Sequence, residues 1–468
     1  MRDNWLPPEE RKTILFLSDD MRIPSGVGTM TREIIEGTCH HYNWVQLGAA
    51  IEHPDNGKRI DMGPEIAQRT GVKDPFVLIY PNNGYGNPFI IRQLMDMHKP
   101  SAILHFTDPR YWIWLYQMEN EIRQQIPLFF YTIWDDLPYP MYNELYYRSC
   151  DWLGCISKQT YNIVKQVRSV NEPVQPWQLS YVPHGINTNR FFKIDEGHDD
   201  WEDFNKFKLE VLEGKEYEFV VLYNSRNIRR KMTSDIILAF KTFVDGLPED
   251  VRDKTCLLMH TQPVDNNGTD LIAVKEAIAP DINLVFTKGR LEDKGMNALY
   301  NMSDVLINIS SNEGFGLSVA EALATATPVV VNVTGGLQDQ CGFRDEEGNL
   351  LDPEVHFSYD WGSNHDGRYR DHGEWVKPVW PGTRSLQGSP LTPYIFDDRA
   401  DWQDVAVALR EWYDMTPEER EAAGQAGQDW ALGEGGLYVE NMCDLFIKGM
   451  DSAFENFTPR QRYVLEAV

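Results

Sequence analysis

Ser311-Asn-Glu-Gly-Phe-Gly-Leu-Ser-Val-Ala-Glu321 lies between two apolar, β-rich runs, 305–309 and 328–333. Its second half, continued to 326, reads as a helix. Two carboxylates, Glu313 and Glu321, stand eight residues apart. One falls in the loop and the other two turns into the helix, which sets them about 12 Å apart along the helix axis. An extended sugar–diphosphate–ribose spans a similar length. Between them Gly314 and Gly316 let the backbone come close to a ligand, and Phe315 and Leu317 complete the run of amides. The helix start offers unpaired N–H groups and a positive dipole end to an anion. The stretch suits a nucleotide-sugar, with one acid at the sugar, amides near the phosphates and the other acid at the ribose.

The sequence on either side alternates strand and helix. Strands at 219–223, 256–261 and 283–286 and helices at 234–243, 272–277 and 296–302 precede the loop. The first half opens with a buried-type strand at 13–18, a glycine loop, Pro24-Ser-Gly-Val-Gly28, and a helix from Thr29. Strands follow at 76–80, 102–106, 128–132, 153–156 and 180–183, with helices at 142–150 and 158–167. Such alternation builds parallel sheets covered by helices on both faces. Two series predict an α/β chain of two Rossmann-like, doubly wound domains facing a cleft. The length, 468 residues, agrees with two domains. The acidic run 195–203 reads as the linker. Helices at 402–415 and 438–454 close the second domain. Before them, 341–397 breaks the pattern and reads as an insertion rich in Gly, Asp, His and aromatics. A stretch that long without regular structure needs a use. Its tryptophans, Trp361, Trp375 and Trp380, either form a satellite core or contact the acceptor or a partner surface.

Composition narrows the function. Net charge is −27, from 71 acids against 44 bases, which repels nucleic acid and anionic lipid at long range. No apolar run approaches the roughly 20 residues of a membrane span, and the N-terminus lacks the apolar core of a signal peptide. A cytoplasmic protein without stable membrane insertion is expected. The six cysteines show no metal-ligand spacing and read as reduced thiols.

Arg226 and Lys231 lie five residues apart just past the strand 219–223. Ligands of parallel sheets bind at strand carboxyl ends, where these cations would clamp a diphosphate and stabilise it as a leaving group. Taken with Glu313-Gly-Phe-Gly-Leu317, Glu321-Ala-Leu-Ala324 and Pro328-Val-Val330, they make the chain resemble the retaining glycosyltransferases of the GT-B fold, family 4. The resemblance covers most of 13–340 and is most specific in 182–336. It implies that Glu313 holds sugar hydroxyls and Glu321 the ribose, and that Arg226, Lys231 and the Gly314–Leu317 amides stabilise the diphosphate. It also implies that Gly26, in Ser25-Gly-Val-Gly28, is the close-approach residue of the first phosphate-side loop. His105 or Thr107, at the end of the strand 102–106, would touch the donor sugar, and Asp108 would face the acceptor. Three departures stand out. Asn224-Ser225 replace the glycine usual before the arginine, Thr107 replaces the second histidine of the usual pair, and Ala326 replaces the glycine usual before Thr327-Pro328.

The resulting expectation is a retaining hexosyl- or pentosyltransferase with a UDP- or GDP-sugar donor and no cofactor. No D-x-D motif stands in the chain, so no metal site is assigned and metal-independent transfer is expected, with the basic pair in place of Mg²⁺. The acceptor is a glycan, a small molecule or a nucleobase. Arg229-Arg230-Lys231 keeps open a modified base of viral DNA, and a non-catalytic nucleotide-sugar-binding module is the remaining alternative. The expected domains are 1–195 on the acceptor side, 204–445 on the donor side with the insertion, and a helix 446–468 returning to the first domain.

Overall fold

The computed structural model describes residues 5–50, 52–170, 173–363 and 367–461; the end of the expected returning helix, 462–468, lies outside them. The chain divides into two compact units. The first holds the described residues up to Trp134, then Tyr139–Gly185 and the residues from Val439 onward; the second holds Asp135–Pro138 and Ile186–Tyr438.

In the first unit the strands are β1 (Lys12–Asp19), β2 (Tyr42–Ala50), β3 (Ile60–Asp61), β4 (Val77–Asn83), β5 (Ala102–Phe106), β6 (Leu128–Thr132), β7 (Trp152–Cys155) and β8 (Leu179–Tyr181). They form one sheet in the order β3-β4-β2-β1-β5-β6-β7-β8, parallel except for the short β3. Ile14, Leu15, Phe16 and Leu17 of β1 are all buried, as a strand covered on both faces requires. The second unit holds β9 (Phe219–Asn224), β10 (Thr255–His260), β11 (Leu284–Phe286), β12 (Val305–Asn308), β13 (Val329–Asn332) and β14 (Val376–Val379). Their order is β11-β10-β9-β12-β13-β14, all parallel. In each sheet the chain runs outward to one side and then crosses to the other. The switch points fall between β1 and β5, and between β9 and β12.

The passage between units differs from the expected 195–203. It falls at Gly185 and Ile186. Phe191 and Ile194 are buried. The backbone N–H groups of Phe192 and Ile194 donate to Asn297 Oδ1 (3.1 Å) and Asn301 Oδ1 (2.7 Å), which ties the segment to the helix Asp293–Asn301. The acidic run then enters a helix, Trp201–Val211. The return falls at Val439, earlier than 446. Met442, Cys443, Phe446 and Met450 make one buried stripe along Val439–Asn456, and Phe446 packs on Tyr131 at 4.7 Å.

The stretch 341–397 is more than an insertion. It supplies β14, an edge strand of the second sheet, and most of a hairpin of β15 (Pro381–Ser389) and β16 (Thr392–Ala400). Its aromatics make the satellite core. Trp361 stacks on Phe357 at 3.8 Å, Trp375 on Trp430 at 4.8 Å, and Arg370 covers Trp380 at 4.2 Å. The acceptor-contact reading of these tryptophans therefore loses its basis.

Ala326 has φ 58°, the left-handed region. An L-residue with a Cβ is strained there by about 1–2 kcal/mol, so the resembled family's glycine answers a backbone demand at this position. Ala326→Gly should raise stability by about 0.5–1 kcal/mol, read as a higher urea midpoint at constant slope; a lower midpoint would contradict it. Among the described residues no helix is long and apolar enough to cross a membrane.

Candidate active site

The second switch point gathers the predicted donor residues. Past β9 the chain turns through Arg229–Lys231, and past β12 it runs Ser310-Ser-Asn-Glu313. The two loops are bonded to each other. Ser311 N donates to Arg230 O at 2.8 Å, and Arg230 Nη1 donates to Asn312 O at 2.7 Å. Gly336 N donates to Glu313 O at 2.8 Å. A Cβ on Gly335 or Gly336 would fall within the carbonyl oxygens of Glu313 or Gly314, so the Gly-Gly pair is what allows this approach. Gly316, at φ 92°, turns the chain into the helix Leu317–Ala324, and Gln340 Nε2 donates to Phe315 O at 2.5 Å.

Lys231 Nζ is ion-paired with Glu313, and both side chains are nearly buried. Arg230 adds a longer contact to the same carboxylate at 3.6 Å. Burial alone would raise the Glu313 pKa, but Lys231 and Arg230 outweigh it and hold the carboxyl below its usual range. The Lys231 pKa is lowered, by burial and by Arg230, against the attraction of Glu313.

Arg226 is not brought to this pair. Its side chain is 63% exposed and its guanidinium binds Asp265 at 2.9 Å. Arg230, which the sequence reading used only as part of a basic turn, takes the place beside Glu313. A second omission is Asp135-Asp136. This dipeptide follows β6 yet belongs to the second unit. Asn312 Nδ2 donates to Asp136 and, at 2.5 Å, to Phe396 O. Burial raises Asp135 to about 6 against the pull of Arg230. Two adjacent acids at a strand's carboxyl end were the available signal. Ser311 also donates to Asp397, so the base of the hairpin β15–β16 braces the loop that carries Glu313.

Glu321 lies on the helix two turns beyond Glu313. Tyr300 donates its hydroxyl to Glu321 Oε2 at 2.5 Å, and Asn224 Nδ2 donates to the same hydroxyl at 2.7 Å. Burial pushes Glu321 up to about 7, with the Tyr300 bond opposing.

Two predicted residues lie in the first unit. His105 is fully buried inside β5, with Nδ1 at 2.7 Å from Tyr116 Oη and Nε2 at 3.1 Å from Thr107 Oγ1. Burial holds its pKa near 3, to about 3 from an ordinary 6.5, so it is a neutral, satisfied core histidine. Gly26 opens the helix Gly26–Thr38 and is exposed. Tight packing of backbone on backbone in this loop falls at Gly28, where a Cβ would meet Ile23 O. Ser25 caps this helix by accepting from Gly28 N at 2.9 Å.

Comparison with known proteins agrees with this geometry. Residues 206–356 match the family glycosyl transferases group 1. The chain is 25% identical over 193 residues to the alpha-monoglucosyldiacylglycerol synthase of Acholeplasma laidlawii, covering 40% of this chain and 43% of that protein. It is 24% identical over 194 residues to the mannosylfructose-phosphate synthase of Agrobacterium fabrum, covering 41% and 39%. The matched region thus spans less than half of either curated relative. In fold, the chain resembles Anabaena HepE, solved in complex with UDP-glucose, with a TM-score of 0.64 over 94% of this chain and 100% of that one, at 14% identity. The two Rossmann-like domains thus share their fold with that solved structure, and residues 206–356 of the second match the group 1 family model.

Proposed function

We propose that this protein is a retaining glycosyltransferase that moves a sugar from a nucleoside diphosphate sugar to a hydroxyl acceptor. The observation that carries the reading is the Lys231–Glu313 pair at the second switch point, held against the glycine loop Gly314–Gly316 and the Gly335-Gly336 turn. Lys231, joined by Arg230 and the amides at the start of the Leu317–Ala324 helix, stabilises the departing diphosphate. Glu313, released from the lysine, accepts from sugar hydroxyls. Glu321, oriented by Tyr300, accepts from the ribose. In a retaining transfer without a protein nucleophile, the leaving phosphate takes the acceptor's proton on the face it departs from. UDP is the first donor nucleotide to test, because Anabaena HepE is solved with UDP-glucose. Arg226 would reach the diphosphate only by leaving Asp265.

A screen of nucleotide-sugars by thermal shift tests the donor side. A ligand at 100 times its dissociation constant should add about 2.7 kcal/mol of stability. No stabilisation by any nucleoside diphosphate or its sugar would count against the proposal. Transfer should also persist in excess EDTA, since side-chain cations serve the leaving group. Loss of activity restored by Mn²⁺ or Mg²⁺ would contradict that part.

The DNA-base alternative rested on Arg229-Arg230-Lys231; of these, Lys231 is buried on Glu313 and Arg230 is bonded to Asn312 and Glu313, which leaves Arg229 as the exposed cation without a place in the donor site.

A further inference from the structure

The first unit has its own switch point, between β1 and β5, and it carries two tyrosines that the donor reading does not use. β1 ends at Asp19, β4 at Asn83 and β5 at Phe106. Beyond β4, Gly84 and Gly86 both take left-handed backbone, with φ 71° and 72°, and present Tyr85 between them. Beyond β5, the turn Pro109–Trp112 presents Tyr111. The two phenol rings stack with centroids 4.8 Å apart and planes 14° apart, and the buried Trp112 meets Tyr85 edge-on at 5.8 Å. Tyr111 remains 56% exposed. A solvated aromatic platform, braced from below, sits where open parallel sheets take ligands.

The polar groups around it select the ligand. Asp19 accepts from Ser25 Oγ at 2.8 Å. Asp108 accepts from Arg110 Nε at 2.8 Å, and Arg110 lies over Trp134 at 5.6 Å. Arg22 is bound to Asp20 at 2.7 Å and to Asp55 at 3.1 Å. Four carboxylates thus face three fixed cations, Arg22, Arg110 and Lys58, each already bonded to a carboxylate, while His53 lies on Asp20 at 3.1 Å. The Tyr85 hydroxyl reports the same field, since its pKa is raised by burial and then by Asp19, Tyr111 and Asp108. Carboxylates accept hydrogen bonds from paired hydroxyls, whereas a phosphate here would meet net negative charge without a free cation.

We propose that the Tyr85–Tyr111 platform binds the acceptor, and that this acceptor presents a neutral hexopyranose ring: its C–H face lies on Tyr111 and its hydroxyls donate to Asp19 and Asp108. The inference rests on the glycosyltransferase reading and adds the acceptor's chemical class to it. It separates this chain from relatives named for phosphate-bearing products, such as mannosylfructose-phosphate synthase.

Saturation-transfer NMR on the full chain tests the platform directly, with the methyl glycosides of glucose, galactose and mannose as probes. At least one should receive saturation on ring C–H protons, and glucose 6-phosphate should bind about tenfold more weakly than methyl glucoside. Tyr111→Ala should abolish the signal, and Tyr111→Phe should keep it. Unchanged melting temperatures would show that both variants fold. The idea is overturned if no neutral hexoside binds at 50 mM-scale concentrations (roughly the ceiling for weak sugar stacking). It is also overturned if the phosphorylated sugar or a DNA duplex binds more tightly, or if Tyr111→Ala binds like the parent. Stabilisation by UDP, measured on the same samples, reports separately on the donor reading, so failure of one is distinguishable from failure of the other.

Discussion

Lys231→Ala should lower kcat/KM by about 10²-fold or more, as removal of a group aimed at developing charge does elsewhere. The side chain is nearly buried and has Glu313 as its partner, so water would not replace it as a cation for the departing diphosphate. The fold should survive the change. Glu313 keeps Arg230 at 3.6 Å as a second cation, which softens the penalty of about 3–5 kcal/mol that accompanies a buried charge left alone. A modest fall in melting temperature is therefore expected beside a large fall in turnover. Steady-state kinetics with saturating donor separates the two. A folded variant with unchanged kcat/KM would remove Lys231 from the mechanism.

The parts of this fold that show in the sequence are those that local pattern dictates. The run 305–333 is a strand, a glycine loop, a helix and a strand, and β12, the helix Leu317–Ala324 and β13 occupy those places. β2 is different. Its sequence, Tyr42-Asn-Trp-Val-Gln-Leu-Gly-Ala-Ala50, mixes polar and small residues and does not form the apolar run of a buried strand. Gln46 is buried there because its amide donates to Asp19 O at 2.7 Å and accepts from Met21 N at 3.2 Å, partners that only the folded sheet supplies. The helix Pro417–Leu432 went unread because it is rich in alanine and glycine and has a weak apolar face; Thr416 and Glu419 cap its start reciprocally. β14 and the hairpin were hidden because prolines and glycines recur through 376–393, and those residues read as loop when edge strands tolerate them.

The site was legible in the same measure. Motif spacing singles out Glu313, Lys231 and Glu321, and the fold brings the first two into contact. His105 was misread, since strand-end position says nothing about whether neighbours satisfy both ring nitrogens. Asp135-Asp136 and Arg230 were missed because their importance comes from contacts far apart in sequence, such as Asn312 with Asp136.

Glu313 and Glu321 should fail in opposite ways when each is made glutamine. Glu321 titrates at about 7 in the folded protein against an ordinary 4.5, chiefly because it is buried. The native carboxyl then holds its proton more tightly than the unfolded chain does, so stability falls as pH rises from 4.5 to 7, by at most about 3 kcal/mol. Glu321→Gln removes that penalty and should raise the melting temperature at pH 8 but hardly at pH 4.5. It should also weaken UDP by about tenfold, since ribose hydroxyls lose an anionic acceptor. For the parent protein, UDP affinity should rise with pH through about 7 as this carboxyl ionises. Glu313→Gln instead strands Lys231, whose counter-charge disappears. That variant should lose about 3–5 kcal/mol of stability, keep or gain affinity for UDP because the lysine is freed for phosphate, and lose sugar transfer. Calorimetric titration of UDP into both variants, with melting curves at pH 4.5 and 8, decides the matter. Equal losses of UDP affinity would show that the two acids have been given the wrong partners.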